Sequence, residues 1–216
     1  LRLGDNTYNA GTERTLGVFL ENVDITSTSS YTYCLMATQA LGQFDINMTN
    51  VNVDWNGPTS DSSSRAFFRF GDGSHNQTVN LTTNGCTINL ADTKDAQGIN
   101  IKAKVSGEFG LNDTNIITSG ANTYTNSGSV QLDVDDDCEF STNGGMPVAE
   151  IGEQTYLTFK KALKDANASA EDVTIKLLTD IELNDFITID NTKGKNITIN
   201  YTRFKKCHKA FYGFGR

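Results

Sequence analysis

A short motif recurs through the first 145 residues of this 216-residue chain: two alternating apolar residues, a polar corner, then a second short apolar alternation. Residues 18–25, 44–53, 79–88, 109–117 and 130–140 carry it. Its starts, at Val18, Phe44, Val79, Phe109 and Val130, lie roughly 20–35 residues apart, one solenoid coil with variable loops. In this alignment Val23, Val51, Cys86, Ile116 and Cys138 fall in one column, the expected structural core. A cysteine that trades places with valine and isoleucine behaves as a small buried hydrophobe.

The corner predicts stacking. Asn22, Asn50, Asn84 and Asn115 recur there, as expected for a ladder of side-chain amides or for left-handed backbone at a bend. Strands at 31–37, 66–70 and 98–105 precede several units. In the last, Ile99, Ile101, Ala103 and Val105 alternate with polar residues. A sandwich of hairpins competes, because Asn-Gly and Asp-Gly pairs also mark hairpin turns. The recurrence of Asn84-Gly85 at the repeating corner favours the solenoid. One coil leaves its apolar edges open, and each inward Val, Ile, Leu or Phe gains about 1.5–3 kcal/mol when the next coil covers it.

Composition agrees. Apolar residues are 37% and charged residues 20%, so Asn, Thr, Ser, Gly and Asp fill the remainder, as suits short strands and polar turns. The two prolines, Pro58 and Pro147, leave strand ladders uninterrupted. No apolar run is long enough to span a membrane. The start resembles no signal peptide and lacks Met, as expected of a mature or excised fragment.

Residues 1–145 carry a net charge of −10 and the remainder +2. An acidic surface disfavours nucleic acid. The imbalance places a boundary near Gly144-Gly145. None of the four cysteines, Cys34, Cys86, Cys138 and Cys207, forms a CxxC pair, so zinc is not expected, and the reading is buried free thiol for Cys86 and Cys138.

Residues 146–200 read differently. Thr158 can cap a helix in which Phe159, Ala162, Leu163 and Ala166 recur at helical spacing. Strands follow at 173–178, 187–189 and 197–199. The run Val148-Ala149-Glu150-Ile151-Gly152 with Tyr156, Thr158-Phe159, Ala162-Leu163 and Ala166 is one half of a resemblance. The other is Val173-Thr174-Ile175-Lys176-Leu177-Leu178 through Lys195-Asn196-Ile197-Thr198-Ile199. Over about 55 residues the chain resembles the opening of pectin-lyase-like β-helix repeats in large bacterial cell-surface proteins of the gut Firmicutes type.

The resemblance implies an all-β, right-handed parallel β-helix, with a short amphipathic capping helix near residues 158–167. The repeat gives coils over 1–145, the resemblance implies a helix-capped start of a second unit over 146–200, and after Asn200 the sequence departs from the family in an irregular basic, aromatic tail over 201–216. The resemblance also implies extracellular display at a cell surface, adhesion, and contact with glycans or host-surface ligands. It supplies no catalytic residues. A polysaccharide lyase or glycoside hydrolase on the same scaffold is one alternative, and a trimeric phage tail-fibre or tailspike segment is another. Otherwise the chain is expected as a monomer or in end-to-end association.

Candidate sites are few. Asp133, Asp135, Asp136 and Asp137 cluster, and Asp135 with Asp137 is the candidate for a structural Ca²⁺, which takes six to eight oxygens; the competing reading is a solvated corner. No other cofactor is expected. Trp55, closing a strand before a polar loop, is the candidate glycan-stacking platform; Tyr31, Tyr33, Phe67 and Tyr124 are weaker ones. His75, within Gly71-Asp72-Gly73-Ser74-His75-Asn76, reads as a turn.

Overall fold

In a computed structural model of the chain, residues 2–3, 15–28, 34–38, 41–56, 66–94, 96–120, 123–181, 187–190 and 192–201 are described. Two compact units divide it, Leu1–Gly145 and Met146–Arg216.

The first unit is a parallel β-solenoid. Its coils run, in order, through β1 (Arg2–Leu3) and β2 (Thr15–Ser27), then β3 (Cys34–Thr38) and β4 (Gly42–Trp55). Next come β5 (Ala66–Phe70), β6 (Gln77–Asn84) and β7 (Thr87–Lys94), then β8 (Gln97–Ile101), β9 (Val105–Asn112) and β10 (Asn115–Ser119). The last coil holds β11 (Tyr124–Asn126), β12 (Ser129–Val134) and β13 (Glu139–Ser141). The first face stacks β1-β3-β5-β8-β11. The long strands β2 and β4 turn a corner, so their first halves continue into β6, β9 and β12, and β4's second half into β7, β10 and β13. Every strand pairing among the described residues of this unit is parallel, which rules out the sandwich of hairpins.

Period-2 alternation decides what enters the shaft. Phe44, Ile46 and Met48 alternate inward along β4, and Val51, Val53 and Trp55 do so beyond the corner. Aromatic rings join the faces: Phe70 lies 5.4 Å from Phe68 and 5.4 Å, edge-on, from Phe109. Such pairs add to the gain from burial alone.

The corner is held by left-handed backbone. Asn22 (φ 54°), Asn50 (φ 50°), Gly85 (φ 60°) and Asp113 (φ 44°) occupy it in successive coils. Asn and Asp tolerate this region because their short side chains bond locally, and glycine because it has no Cβ. The expected amide ladder is cut into two pairs: Asn50 Nδ2 donates to Asn22 Oδ1 at 3.1 Å in the corner column, and Asn112 Nδ2 to Asn84 Oδ1 at 3.1 Å one residue before it, Asn84 pairing in register with Thr49 rather than Asn50.

Two sequence expectations are corrected here. The fourth corner residue is Asp113, so Asn115 lies on the strand beyond it. The column that begins at Val23 and Val51 therefore continues through Cys86, Thr114 and Cys138. Ile116, fully buried, lies two residues along, in register with Ile88 and Phe140. The strand expected at 98–105 ends at Ile101, because a turn with Lys104 at φ 66° makes another corner before β9. Tyr31, Tyr33 and the tail beyond Tyr201 lie outside the described residues.

The second unit contains β14 (Ala149–Ile151), β15 (Gln154–Tyr156), α1 (Phe159–Ala168), β16 (Val173–Leu177) and β17 (Ile197–Tyr201), with sheet order β15-β14-β16-β17. The pairs β14–β15 and β14–β16 are antiparallel, and β16–β17 is parallel. Thr158 caps α1, its hydroxyl accepting from Lys161 N at 3.3 Å, and Phe159, Ala162, Leu163 and Ala166 are buried. The C-terminal end of the helix is closed from a distance. Buried Lys195 places Nζ 2.6 Å from Ala166 O, 2.5 Å from Asn167 O and 2.6 Å from Ser169 O. A cation on the last carbonyls suits the negative end of the dipole. Residues 187–189, expected as a strand, carry no strand.

Candidate functional site

The residues singled out in the sequence belong to the architecture. Trp55 is fully buried in the core. It follows Val51 and Val53 at period 2 and so points inward, which removes it as a glycan platform. Phe67 is buried and Tyr124 half-buried. Among the described aromatics of the first unit, the exposed one is Phe19, 75% accessible on the outer side of β2. It sits between inward Val18 and Leu20, and that three-residue apolar run was the available signal: its middle member must face the other way.

Asp135 is a backbone cap. Its carboxylate accepts from Asp137 N at 2.9 Å, Cys138 N at 3.0 Å and Asp113 N at 3.1 Å, joining two coils at the corner. Desolvation raises its pKa, and the hydrogen bonds from Cys138, Asp113 and Asp137 outweigh that and hold it below the ordinary carboxylate value. Of the two carboxylates offered to Ca²⁺ in the sequence reading, that of Asp135 thus already serves amides. Among the described residues, no three His, Cys, Asp or Glu side chains gather closely enough to hold a metal ion.

Cys86 and Cys138 are free, buried thiols. Cys86 Sγ lies 3.5 Å from Met48 O, and Cys138 Sγ 3.1 Å from Leu111 O, each one coil back. Burial is the largest cause pushing the Cys138 thiol up, to about 11, so it stays protonated and inert at neutral pH. Between them in the column, Thr114 Oγ1 is 2.9 Å from both Thr83 Oγ1 and Asn112 O.

His75 lies in the expected turn. Asp72 accepts from Ser74 N at 2.7 Å and His75 N at 3.0 Å, and the His75 ring sits 2.6 Å from its second oxygen.

A groove that sequence reasoning missed opens where the second face begins. It holds about 400 Å³ and is lined by Thr15, Gln43, Thr78, Ser106 and Ser129, together with Leu41, Gly42, Asn76, Gln77 and Lys104. The first five form one straight column, in register coil by coil: Thr15 on Gln43, Gln43 on Thr78, Thr78 on Ser106, Ser106 on Ser129. At a strand spacing of about 4.8 Å, hydroxyls and an amide repeat along a line of roughly 19 Å. Gln43, Thr78 and Ser129 each precede a repeat's first inward residue, Phe44, Val79 and Val130, so period 2 turns them outward, and register sets Thr15 and Ser106 in the same column. Among the described residues, no carboxylate or imidazole lines the groove, and the one cation that does, Lys104, donates to Ser74 O at 2.9 Å. The lining supplies hydrogen-bond donors and acceptors without a general acid–base pair.

Fold and groove together define the class, a parallel β-solenoid with a polar flank running across its coils. Comparison with protein-family models, curated proteins and solved structures finds no match for the chain.

Proposed function

We propose that this chain is a non-catalytic, adhesive module of an extracellular cell-surface protein, whose solenoid presents a long flank to glycans. The observation that carries this reading is the in-register column Thr15, Gln43, Thr78, Ser106 and Ser129. An extended polymer with regularly spaced hydroxyls meets the same kind of partner at each coil. Rigid parallel stacking holds those partners in place before the ligand arrives, which lowers the ordering cost of binding. Turnover would need a positioned acid and base, and among the described residues the groove lining contains neither. The resemblance of residues 148–199 to β-helix repeats of bacterial surface proteins supports the compartment.

A glycan array probed with the intact chain, followed by a reducing-sugar assay on every polymer bound, tests the proposal. Retention of one or more glycans without release of reducing ends is the expected result. Release of reducing ends would replace adhesion with hydrolysis, and an empty array would remove the glycan reading.

A further inference from the structure

We infer that Phe19 is a stacking platform for a sugar ring beside the first-coil end of the groove, and that the sugar it takes is a β-linked glucopyranosyl unit. This rests on the glycan reading above and adds to it a contact residue and the class of sugar.

Phe19 is the most exposed large apolar residue among those described. Its neighbours Val18 and Leu20 pack against the core, so period 2 turns the ring between them to solvent. Thr15, Gly17 and Phe19 are successive outward positions of β2, in register with Gln43, Asp45 and Asn47 of β4. The ring leans back along the strand over Gly17: a Cβ built on Gly17 would lie 2.8 Å from Phe19 Cε2 and 3.5 Å from Cζ. The missing side chain at position 17 gives the ring its seat. That seat is one outward step from Thr15, which lines the groove, or about 7 Å along the strand, the scale of one sugar ring.

The chemistry of the seat selects the sugar. In a β-linked glucopyranose every ring substituent is equatorial, so both faces present only C–H. Such a face gains by leaving water against an exposed aromatic ring. The equatorial hydroxyls then point outward from the rim and need fixed polar partners. Those partners stand beside the ring. Asp45, paired with Gly17, accepts from Gln43 Nε2 at 3.1 Å and from Asn80 Nδ2 at 2.8 Å, which holds three polar side chains in place. Exposed Glu21 is the next outward residue after Phe19. With carboxylates on both sides of the ring, a uronate meets repulsion, while a glucosyl unit meets acceptors for its hydroxyls.

The test is calorimetric titration of the intact chain with hexamers of β-1,4-linked glucose and of α-1,4-linked galacturonate, in the wild type and two variants. The glucose hexamer is expected to bind, and the galacturonate hexamer to bind about ten-fold more weakly or less. Phe19→Ala removes the platform at an exposed position, so the melting temperature is expected to hold while the glucose hexamer binds about ten-fold more weakly. Phe19→Trp keeps a platform and is expected to bind as the wild type does. Its indole emission, separated from that of buried Trp55 by difference from the wild type, is expected to move to shorter wavelength as the hexamer covers it. Wild-type affinity in Phe19→Ala, an indole in Phe19→Trp that does not respond to bound hexamer, or tighter binding of galacturonate overturns this inference and leaves the glycan reading standing. If the glucose hexamer fails to bind while the array retains another glycan, this inference alone falls; an empty array overturns both.

Discussion

Asn50 donates its side-chain amide to the Asn22 carboxamide oxygen at 3.1 Å, one coil away, while both residues hold left-handed backbone. Directly above, Gly85 continues the column, and a Cβ built there would sit 2.8 Å from Asn50 Oδ1. The corner thus needs small left-handed residues, and it needs one of them to lack a side chain. Asn50→Val is expected to cost about 1–2 kcal/mol from backbone strain alone, and Asn50→Gly less. Gly85→Ala should be destabilising in the wild type and less so in the Asn50→Gly background. A double-mutant cycle by denaturant unfolding checks this; additive costs would show that the two positions are not coupled.

Thr114 stands in a column otherwise filled by Val and Cys, and its hydroxyl meets that of Thr83. Its own hydrogen goes to the Asn112 carbonyl, which cannot donate, so the Thr83 hydroxyl donates to Thr114. Thr114→Val strips the buried Thr83 hydroxyl of its acceptor and is expected to cost about 1–3 kcal/mol. Thr83→Val should cost less. The double variant should be more stable than the summed losses imply, as measured by urea midpoints at unchanged slope.

The thiol of Cys138 is pushed up to about 11 by burial, against about 8.5 for an unfolded cysteine. Between those values the unfolded chain binds fewer protons than the folded one, so stability falls as pH rises. Comparing unfolding free energies at pH 8 and pH 10.5, the fall should be smaller in Cys138→Val. In the native chain at neutral pH, Cys86 and Cys138 should resist an aromatic disulfide reagent until denaturant is added.

Asp135 titrates the other way. Its folded pKa lies below the unfolded value, so its contribution is present above the unfolded carboxylate pKa and is lost as pH falls through the folded one. Asp135→Asn should be less stable than wild type at pH 7 and converge with it in strong acid. Because that carboxylate serves three backbone amides, millimolar Ca²⁺ should leave the melting temperature of the wild type unchanged.

Lys195→Met keeps the aliphatic stem and removes the donor from three carbonyls at the end of α1. A loss of about 2–3 kcal/mol is expected, because these are bonds to a charged group. Amide exchange over Phe159–Ala168 should accelerate.

Much of the solenoid is written locally. Alternation at period 2 in β2, β4, β6 and β9 states which side chains face inward, and an asparagine recurring with it states that something must bend. The helix is equally local, because Thr158 and the spacing of Phe159, Ala162, Leu163 and Ala166 are contained in one short stretch. What misled the reading was chemistry that two residue types share. Asparagine and aspartate both tolerate left-handed backbone, so the fourth corner fell to Asp113 and the column shifted from Ile116 to Thr114. Trp55 misled for a related reason: standing next to a polar loop says nothing about facing, and period 2 does.

The groove could not be found this way. Thr15, Gln43, Thr78, Ser106 and Ser129 are unremarkable polar residues tens of positions apart, and only parallel register sets them in line. Side-chain period is a property of one strand and can be read from it. Alignment between coils depends on how long each intervening loop is and where each corner falls, and that is settled only when the coils pack.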